Sequence, residues 1–301
     1  EATGSLDDQL LRELFERLEY LRNLEEQKEK VRTAITEQEK MTDEIAFAID
    51  NAKTLTEIED IYRPYRPKRK TRASVAKEKG LEPLAQKIYL QLDGFDPYDE
   101  AKNFITDEVE TVEDAIDGAR DIIAEMVSDD AQGRKQLRYV CRKHGSITAT
   151  PAKDDLGVYE NYRDYSEPVS KIANHRVLAI NRAEKEDFLK VSLDFDKANG
   201  VNVLKGLHIT AANPSSNIVF EAVDDAYSRL IFPAIEREIR NELTDRASED
   251  SIKVFAKNTA ELLMQPPVKG RVTIGLDPGY RTGCKVAVVD ETGKVLDTAG
   301  G

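Results

Sequence analysis

Cysteine and tryptophan are nearly absent: the 301-residue chain has only two cysteines and no tryptophan. So few thiols exclude a disulfide framework and a cysteine-based zinc site, and they are typical of a reducing compartment. No apolar run approaches the roughly 18–20 residues of a membrane-spanning helix. No basic and apolar leader precedes a small-residue cleavage site. We therefore expect a cytoplasmic protein that contacts no membrane.

Histidine is also scarce, and the sequence offers no familiar catalytic set. His144, His175 and His208 lie far apart without the spacing of metal ligands, so we expect them to cap or pack. Cys141 falls in a predicted helix and Cys284 begins a predicted strand, and we expect both thiols to be buried. No serine or cysteine nucleophile has a recognisable histidine partner. These absences favour a non-enzymatic chain that binds no metal or cofactor.

Positive charge is in the minority, but much of it lies in one place. The formal net charge of −13 argues against a uniformly basic coat for nucleic acid. The stretch Tyr62–Arg72, here called the basic segment, interrupts an acidic region and contains no acidic residue. Its cations are Arg63, Arg66, Lys68, Arg69, Lys70 and Arg72.

The composition of the basic segment suits contact with nucleic acid. Cations bind phosphates, and the interleaved Tyr62 and Tyr65 suit stacking on bases or riboses. Pro64 and Pro67 favour an extended turn that holds the cations on a stiff surface. A solvated loop is the alternative interpretation, and the sequence leaves both open.

A second, smaller group of cations recurs with helical spacing. Such a stripe is more often a solvated helix face than a binding site, and we expect a solvated face here. Its members are Arg134, Lys135, Arg138, Arg142 and Lys143.

The spacing of apolar residues predicts a mainly α-helical chain. Leu11, Leu14, Leu18 and Leu21 recur at intervals of three and four, which predicts an amphipathic helix with one buried stripe. A coiled coil is the competing interpretation. The pattern thins after Leu24, so we favour packed helices within a larger helical body.

Local signals predict the helix starts and the domain limits. Thr42 and Thr54 precede short helices as N-caps, and Thr54 with Glu57 fits a capping box. Residues 1–72 are expected to form a helical region that ends in the basic, proline-rich loop. Residues 73–267 follow as a helical central region, with irregular structure over Ser146–Ser170 and a short β element near 187–210. From residue 268 the period changes to β-type, with a hairpin turn in "DETGK".

Asp277 is the sharpest candidate for chemistry. It ends an apolar strand, where a carboxylate can hold Mg²⁺, and Gly279 and Gly283 permit close approach to a phosphate. In RNase H-like folds the first strand supplies one of about three or four metal-binding carboxylates. Actin-like ATPases and sugar kinases begin with a similar strand, and a plain tight turn favours the same residues. The local pattern leaves these interpretations open.

Three stretches, in order along the chain, resemble the bacterial Tex family of transcription accessory proteins. They are "IEDIYRPYRPKRKTRASVAKEKGLEPLA", "NHRVLAINRAEKE" and "LLMQPPVKGRVTIGLDPGYRTGCKVAVVDETGKVLDT". A more distant relative is the eukaryotic Spt-type elongation factor. The family's D-P-G-x-R-x-G turn is matched by Asp277, Gly279, Arg281 and Gly283.

The resemblance implies a multi-helical region with helix-turn-helix-like elements, followed by the first strands of a YqgF-type RNase H-like domain. The family's helix–hairpin–helix elements and its OB-fold domain, the main nucleic-acid contact, are not in this chain. We therefore expect a fragment, produced by design or by proteolysis, whose RNase H-like domain is truncated and inert.

The function that the resemblance implies is a nucleic-acid-binding scaffold in transcription or RNA metabolism. One alternative is a metal-dependent nuclease or junction resolvase, in which Asp277 of the intact domain would bind Mg²⁺. Another is a protein-interaction module for RNA polymerase or for ribosome-associated factors.

Overall fold

Helices make up most of the structure, a computed structural model that describes residues 8–66, 70–266, 270–279 and 283–300. The predicted mainly α-helical fold is confirmed. The helices are α1 (Asp8–Glu37), α2 (Asp43–Asn51), α3 (Leu55–Tyr62), α4 (Arg72–Glu78), α5 (Glu82–Tyr89), α6 (Pro97–Ala101), α7 (Val112–Asp129), α8 (Ala131–His144), α9 (Asn174–Lys185), α10 (Lys197–His208), α11 (Pro214–Asp225) and α12 (Phe232–Leu263).

Short 3₁₀ turns occupy Arg63–Tyr65, Lys102–Phe104 and Gly157–Tyr162, and a π-helical turn at Ala226–Ile231 leads into α12. The chain divides within α12 into two units, one ending at Thr244 and the other beginning at Asp245. The domain limits at residues 72 and 267 stay predictions. No helix in the described ranges combines the length and hydropathy that crossing a membrane requires.

The two predicted N-caps are confirmed, but the predicted capping box is not closed. Thr42 Oγ1 accepts a hydrogen bond from the Ile45 N–H, and Thr54 Oγ1 accepts one from the Glu57 N–H at 3.2 Å. Glu57 Oε2 accepts its short hydrogen bond, at 2.8 Å, from the N–H of Lys53. Glu57 Oε1 accepts a hydrogen bond from Lys135 Nζ of α8 at 2.7 Å, so the carboxylate also links α3 to α8.

The apolar stripe at the start of α1 was expected to be buried, and this expectation is wrong. The relative exposures of Leu14, Leu18 and Leu21 are 57%, 42% and 41%. Helices α2 and α3 pack on the second half of α1, so burial begins one turn further on. The resulting core cluster consists of Leu24, Val31, Ile35, Ile49, Ala52 and Ile58.

A small antiparallel sheet replaces the irregular structure expected over Ser146–Ser170. Strands β1 (Ser146–Pro151), β2 (Tyr165–Pro168) and β3 (Leu189–Asp194) lie in the order β2-β1-β3. Ile147 and Ala149 point into the core and alternate with polar threonines, a period of two that the surrounding polar residues obscured. The predicted β element near 187–210 is confirmed by β3, while the rest of that range forms α10.

The outer edge of β3 is covered by charged side chains. Leu193 N–H donates to Glu236 of α12 at 2.8 Å, and Val191 N–H donates to Glu184 of α9. Arg240 Nη1 donates to the Val191 carbonyl at 3.1 Å. An uncovered edge strand invites pairing with another chain, so these contacts close the sheet on that side.

A buried cluster of charges joins α3, α8 and α12. Asp60 accepts hydrogen bonds from Arg134 Nε at 2.9 Å and from Arg138 Nη2 at 3.0 Å. Glu238 accepts from Arg134 at 2.9 Å and from Arg138 at 2.7 Å. The side chains of Asp60 and both arginines are at most 7% exposed. This cluster, here called the Asp60 network, fixes α3 against the body of the protein.

Removing the central carboxylate should destabilise the fold strongly. We expect Asp60→Ala to lower the free energy of unfolding by about 3–5 kcal/mol, because it removes the buried one of the two carboxylates that pair with both guanidinium groups. Chemical denaturation measures this loss. As a control, Glu242→Ala removes the carboxylate paired with Arg142, a pair whose side chains are about half exposed. That control should cost less than about 1 kcal/mol, and equal losses for the two variants would contradict the central role of Asp60.

Helix α10 approaches the π-helical turn closely at Gly200. A Cβ atom at Gly200 would lie 2.3 Å from Cε2 of Tyr227, whose ring is buried and stacks on Phe232. Glycine is therefore required there by the close approach of two elements. On the same helix, a Cβ atom at Gly206 would meet nothing within 4 Å.

These two glycines provide a matched pair. Gly200→Ala should lower the free energy of unfolding by about 1–3 kcal/mol through overpacking against Tyr227. Gly206→Ala should instead be neutral or stabilising by about 0.5–1 kcal/mol, since alanine costs less backbone entropy in a helix. Thermal or urea unfolding of both variants compares them, and a harmless Gly200→Ala would disprove the close contact.

Candidate nucleic-acid interface

The basic segment begins with the last residue of α3 and continues into a 3₁₀ turn, which hydrogen bonds hold in place. Pro64 sits at the start of the turn, where its missing N–H costs nothing. The Arg66 N–H donates to the Tyr62 carbonyl at 3.1 Å. Gln38, the residue directly after α1, donates through its Nε2 to the Tyr65 carbonyl at 2.9 Å. The first half of the segment is thus ordered by α1 and α3.

Arg63 points back into the protein. Its Nε lies 3.2 Å from Oδ1 of Asp129 at the end of α7, and the side chain is 35% exposed. Burial and the nearby Arg134 lower the pKa of Arg63, while Asp129 and Asp60 act to raise it. A guanidinium held by Asp129 anchors the segment.

The other described cations of the segment face solvent. Arg66 is exposed and makes no ion pair within the described ranges. Lys70 is 72% exposed, with Nζ 3.8 Å from Glu78. Arg72 is exposed at the first position of α4 and interacts electrostatically with Asp121. Two further predicted contacts, Lys68 and Arg69, lie outside the described residues. Their assignment to nucleic-acid binding, with that of the whole segment, stays a prediction.

The sequence predicts that the cationic stripe on α8 is a solvated face, which is wrong for two of its three arginines. Arg134 and Arg138 are buried in the Asp60 network. Lys135 lies 2.7 Å from Glu57, and Arg142 pairs with Glu242. Arg134 and Arg138 therefore face α3 and α12, whereas Lys135, Arg142 and Lys143 are exposed. The signal for this packing was a second stripe, because Glu238 and Glu242 recur at the spacing of Arg138 and Arg142.

His208 has the packing role expected from the sequence. It is 6% exposed, and its Nδ1 lies 2.8 Å from the Tyr89 hydroxyl. Its Nε2 lies 3.4 Å from Asp130, the N-cap of α8. Burial acts to raise the pKa of Asp130, but hydrogen bonds from His208 and from backbone N–H groups outweigh it and lower that pKa. His208, with Tyr89 and Asp130, thus joins the ends of α5, α8 and α10.

Asp277 lies on an exposed antiparallel sheet. Strands β4 (Thr273–Gly279), β5 (Gly283–Val289) and β6 (Val295–Gly300) pair in that order, and Asp277 stands opposite Lys285. Arg281 of the turn motif lies outside the described residues. Gly279 and Gly283 face each other across the hairpin, and Gly283 has a φ of 77° that favours glycine. No three His, Cys, Asp or Glu side chains converge as metal ligands in the described part of the chain.

The hairpin turn predicted between β5 and β6 is confirmed. Gly293 adopts a φ of 86°, and Asp290 accepts hydrogen bonds from the N–H groups of Thr292 and Lys294. Hydrogen bonds from Thr292, through its hydroxyl and its N–H, are the main cause that lowers the pKa of Asp290. The Asp290 carboxylate therefore stabilises the turn through these hydrogen bonds.

The two thiols differ, which corrects the expectation that both are buried. Cys141 is fully buried on α8, whereas Cys284 is exposed on β5. Nothing covers the first residues of β5 within the described ranges, so its apolar character did not lead to burial. Burial raises the pKa of Cys141 to about 12.

This difference predicts the thiol reactivity. At pH 8 the raised pKa keeps Cys141 protonated, and a buried thiol does not react, so only Cys284 should react with a disulfide reagent in the native protein. Titration with Ellman's reagent should release one equivalent quickly and a second only after unfolding. Cys284→Ser should abolish the fast equivalent. Rapid reaction of that variant would show that Cys141 is accessible.

The fold and the placement of the cations define a mainly α-helical protein in which a helical body precedes a small antiparallel sheet. A family model described as Tex central region-like matches residues 93–255, and one described as Tex protein YqgF-like domain matches residues 271–300. The chain belongs to the Tex family. The resemblance stated from the sequence is confirmed.

The curated relatives are longer proteins. An uncharacterized protein of Bacillus subtilis, YdcI, is 46% identical over 98% of this chain and 42% of its own length. The transcriptional accessory protein Tex of Neisseria gonorrhoeae is 38% identical over 99% of this chain and 40% of its own length. Human S1 RNA-binding domain-containing protein 1 is 30% identical over 99% of this chain and 32% of its own length. The chain spans less than half of each.

Proposed function

We propose that this chain is a nucleic-acid-contacting scaffold of a transcription accessory protein, with the basic segment as its contact surface. The names of two relatives support this role, one as a transcriptional accessory protein and one as a protein with an RNA-binding domain. The observation that carries the proposal is the anchoring of the segment. Arg63 is held by Asp129 while Arg66, Lys70 and Arg72 remain exposed.

Anchoring matters because the net charge of the chain is −13. An acidic protein attracts nucleic acid only where cations are grouped and presented together. Holding the start of the segment on α1 and α3 removes part of the ordering entropy that a free loop would lose on binding. Arg134 and Arg138 of the stripe on α8 cannot contribute in the same way, because their charges are paired inside the fold.

Charge reversal tests the proposal. In the full-length protein, Arg66→Glu combined with Lys68→Glu and Arg69→Glu should weaken binding to both RNA and DNA. The slope of log affinity against log salt should fall by about two to three, since each lost phosphate contact removes about 0.7–0.9. Fluorescence anisotropy at several salt concentrations measures both quantities.

The matched control reverses three other exposed lysines, Lys171, Lys185 and Lys190. It changes the net charge equally but lies outside the segment, so affinity and salt slope should stay closer to those of the unaltered protein. Equal effects of the two triple variants would assign the effect to total charge and remove the basic segment from the binding surface.

The more specific roles are separate proposals. Binding to RNA polymerase or ribosome-associated proteins is tested with the purified partners. Nuclease activity of the intact protein is tested by Mg²⁺-dependent cleavage, which Asp277→Asn would abolish if that carboxylate binds the metal. Among the described residues Asp277 belongs to no group of three possible metal ligands, so we favour the scaffold role.

A further inference from the structure

A groove lies between α1 and α3, directly beside the start of the basic segment. Its volume is about 510 Å³. The floor is apolar, with Val31 and Ile58 buried at its base. The walls are polar and come from both helices. The lining side chains from the walls are Asn23, Gln27, Lys30, Glu59, Tyr62 and Arg66.

We propose that this groove accepts one unstacked base of single-stranded nucleic acid while Arg66 and Lys30 hold the neighbouring phosphates. The inference rests on the proposed function and deepens it by naming the form of nucleic acid. A volume of about 510 Å³ lies within the usual range of small-ligand pockets, roughly 300–1,000 Å³. An apolar floor beside the Tyr62 ring offers a base a surface for stacking, which contributes to binding without regard to sequence.

The cations are placed for the phosphates on either side of the base. Arg66 forms no ion pair among the described residues and lies where the groove meets the basic segment. Lys30 Nζ is 2.7 Å from Glu26, but both side chains are more than half exposed. Such an exposed pair is weak and can be exchanged for a phosphate contact at little cost.

The other polar side chains of the groove walls are suited to hydrogen bonding with the edge of a base. Asn23 and Gln27 lie one turn apart on α1, so both amides point to the same side of the helix. Side-chain amides can donate to and accept from a base edge at the same time. The Glu59 carboxylate only accepts, so it disfavours a phosphate and favours a base with an exocyclic amine. Adenine and cytosine should therefore be preferred over uracil.

A base can enter such a groove only after it leaves its stack. In a duplex this requires unpairing and unstacking, whereas in a single strand the base is already free to turn outward. The groove should therefore distinguish single strands from duplexes, while the cations of the basic segment bind both.

The test places a larger side chain in the groove. Ala34 lines it from α1, and neighbouring Thr33 is exposed and does not line it. In the full-length protein, Ala34→Phe should weaken binding of a single-stranded oligoadenylate about tenfold, as expected for the loss of one stacked base. The affinity for duplex DNA and the salt slope should be unchanged. Thr33→Phe, the same change one residue away, should bind like the unaltered protein, and thermal unfolding checks that both variants fold.

The outcomes separate this inference from the function on which it rests. If Ala34→Phe binds oligoadenylate normally while charge reversal of the basic segment still weakens binding, the groove is not the base site but the proposed function stands. If neither change has an effect, both fail. Should Ala34→Phe not fold, Asn23→Ala with Glu59→Gln replaces it. This exposed pair should remove the preference for oligoadenylate over oligouridylate, and an unaltered preference would overturn the inference.

Discussion

The contact between Asp60 and the two arginines Arg134 and Arg138 is the constraint on which the rest of the helical body depends. Charges removed from water require partners in good geometry, and here each guanidinium bridges Asp60 of α3 and Glu238 of α12. Helix α3 therefore has one permitted position against α8. Because the basic segment begins where α3 ends, the same contact decides where its first cations emerge.

The network also decides which cations remain for a partner. Arg134 and Arg138 are neutralised internally, and Arg63 is held by Asp129. Exposed cations without a strong internal partner are then grouped beyond Arg63, next to the groove that α1 and α3 form. The proposed phosphate contacts and the proposed base site thus lie side by side, on a protein whose overall charge is acidic.

Structural features that depend on residues close together in the chain were predicted correctly from the sequence. The N-caps Thr42 and Thr54 and the turn at Gly293 depend on contacts within a few residues, and all are present. Strand β3 was recognisable because its apolar and polar residues alternate without interruption. Errors arose where long-range packing decides. The stripe of Leu14, Leu18 and Leu21 has the period of a buried face, but no described element covers it. The strands β1 and β2 depend on pairing with each other and with β3, and their polar surroundings concealed them.

By itself, the sequence determined the helical class, the family and the presence of a cationic segment that contains two prolines, because these follow from periodicity, ordered motifs and local composition. Only the tertiary structure decided which cations are available. The stripe on α8 and the basic segment are both cationic, yet Arg134 and Arg138 of the stripe meet Asp60 and Glu238 inside the fold, while the described cations of the segment beyond Arg63 face water. The difference arises because burial of a charge depends on carboxylates far away in the chain, whose positions no local pattern specifies.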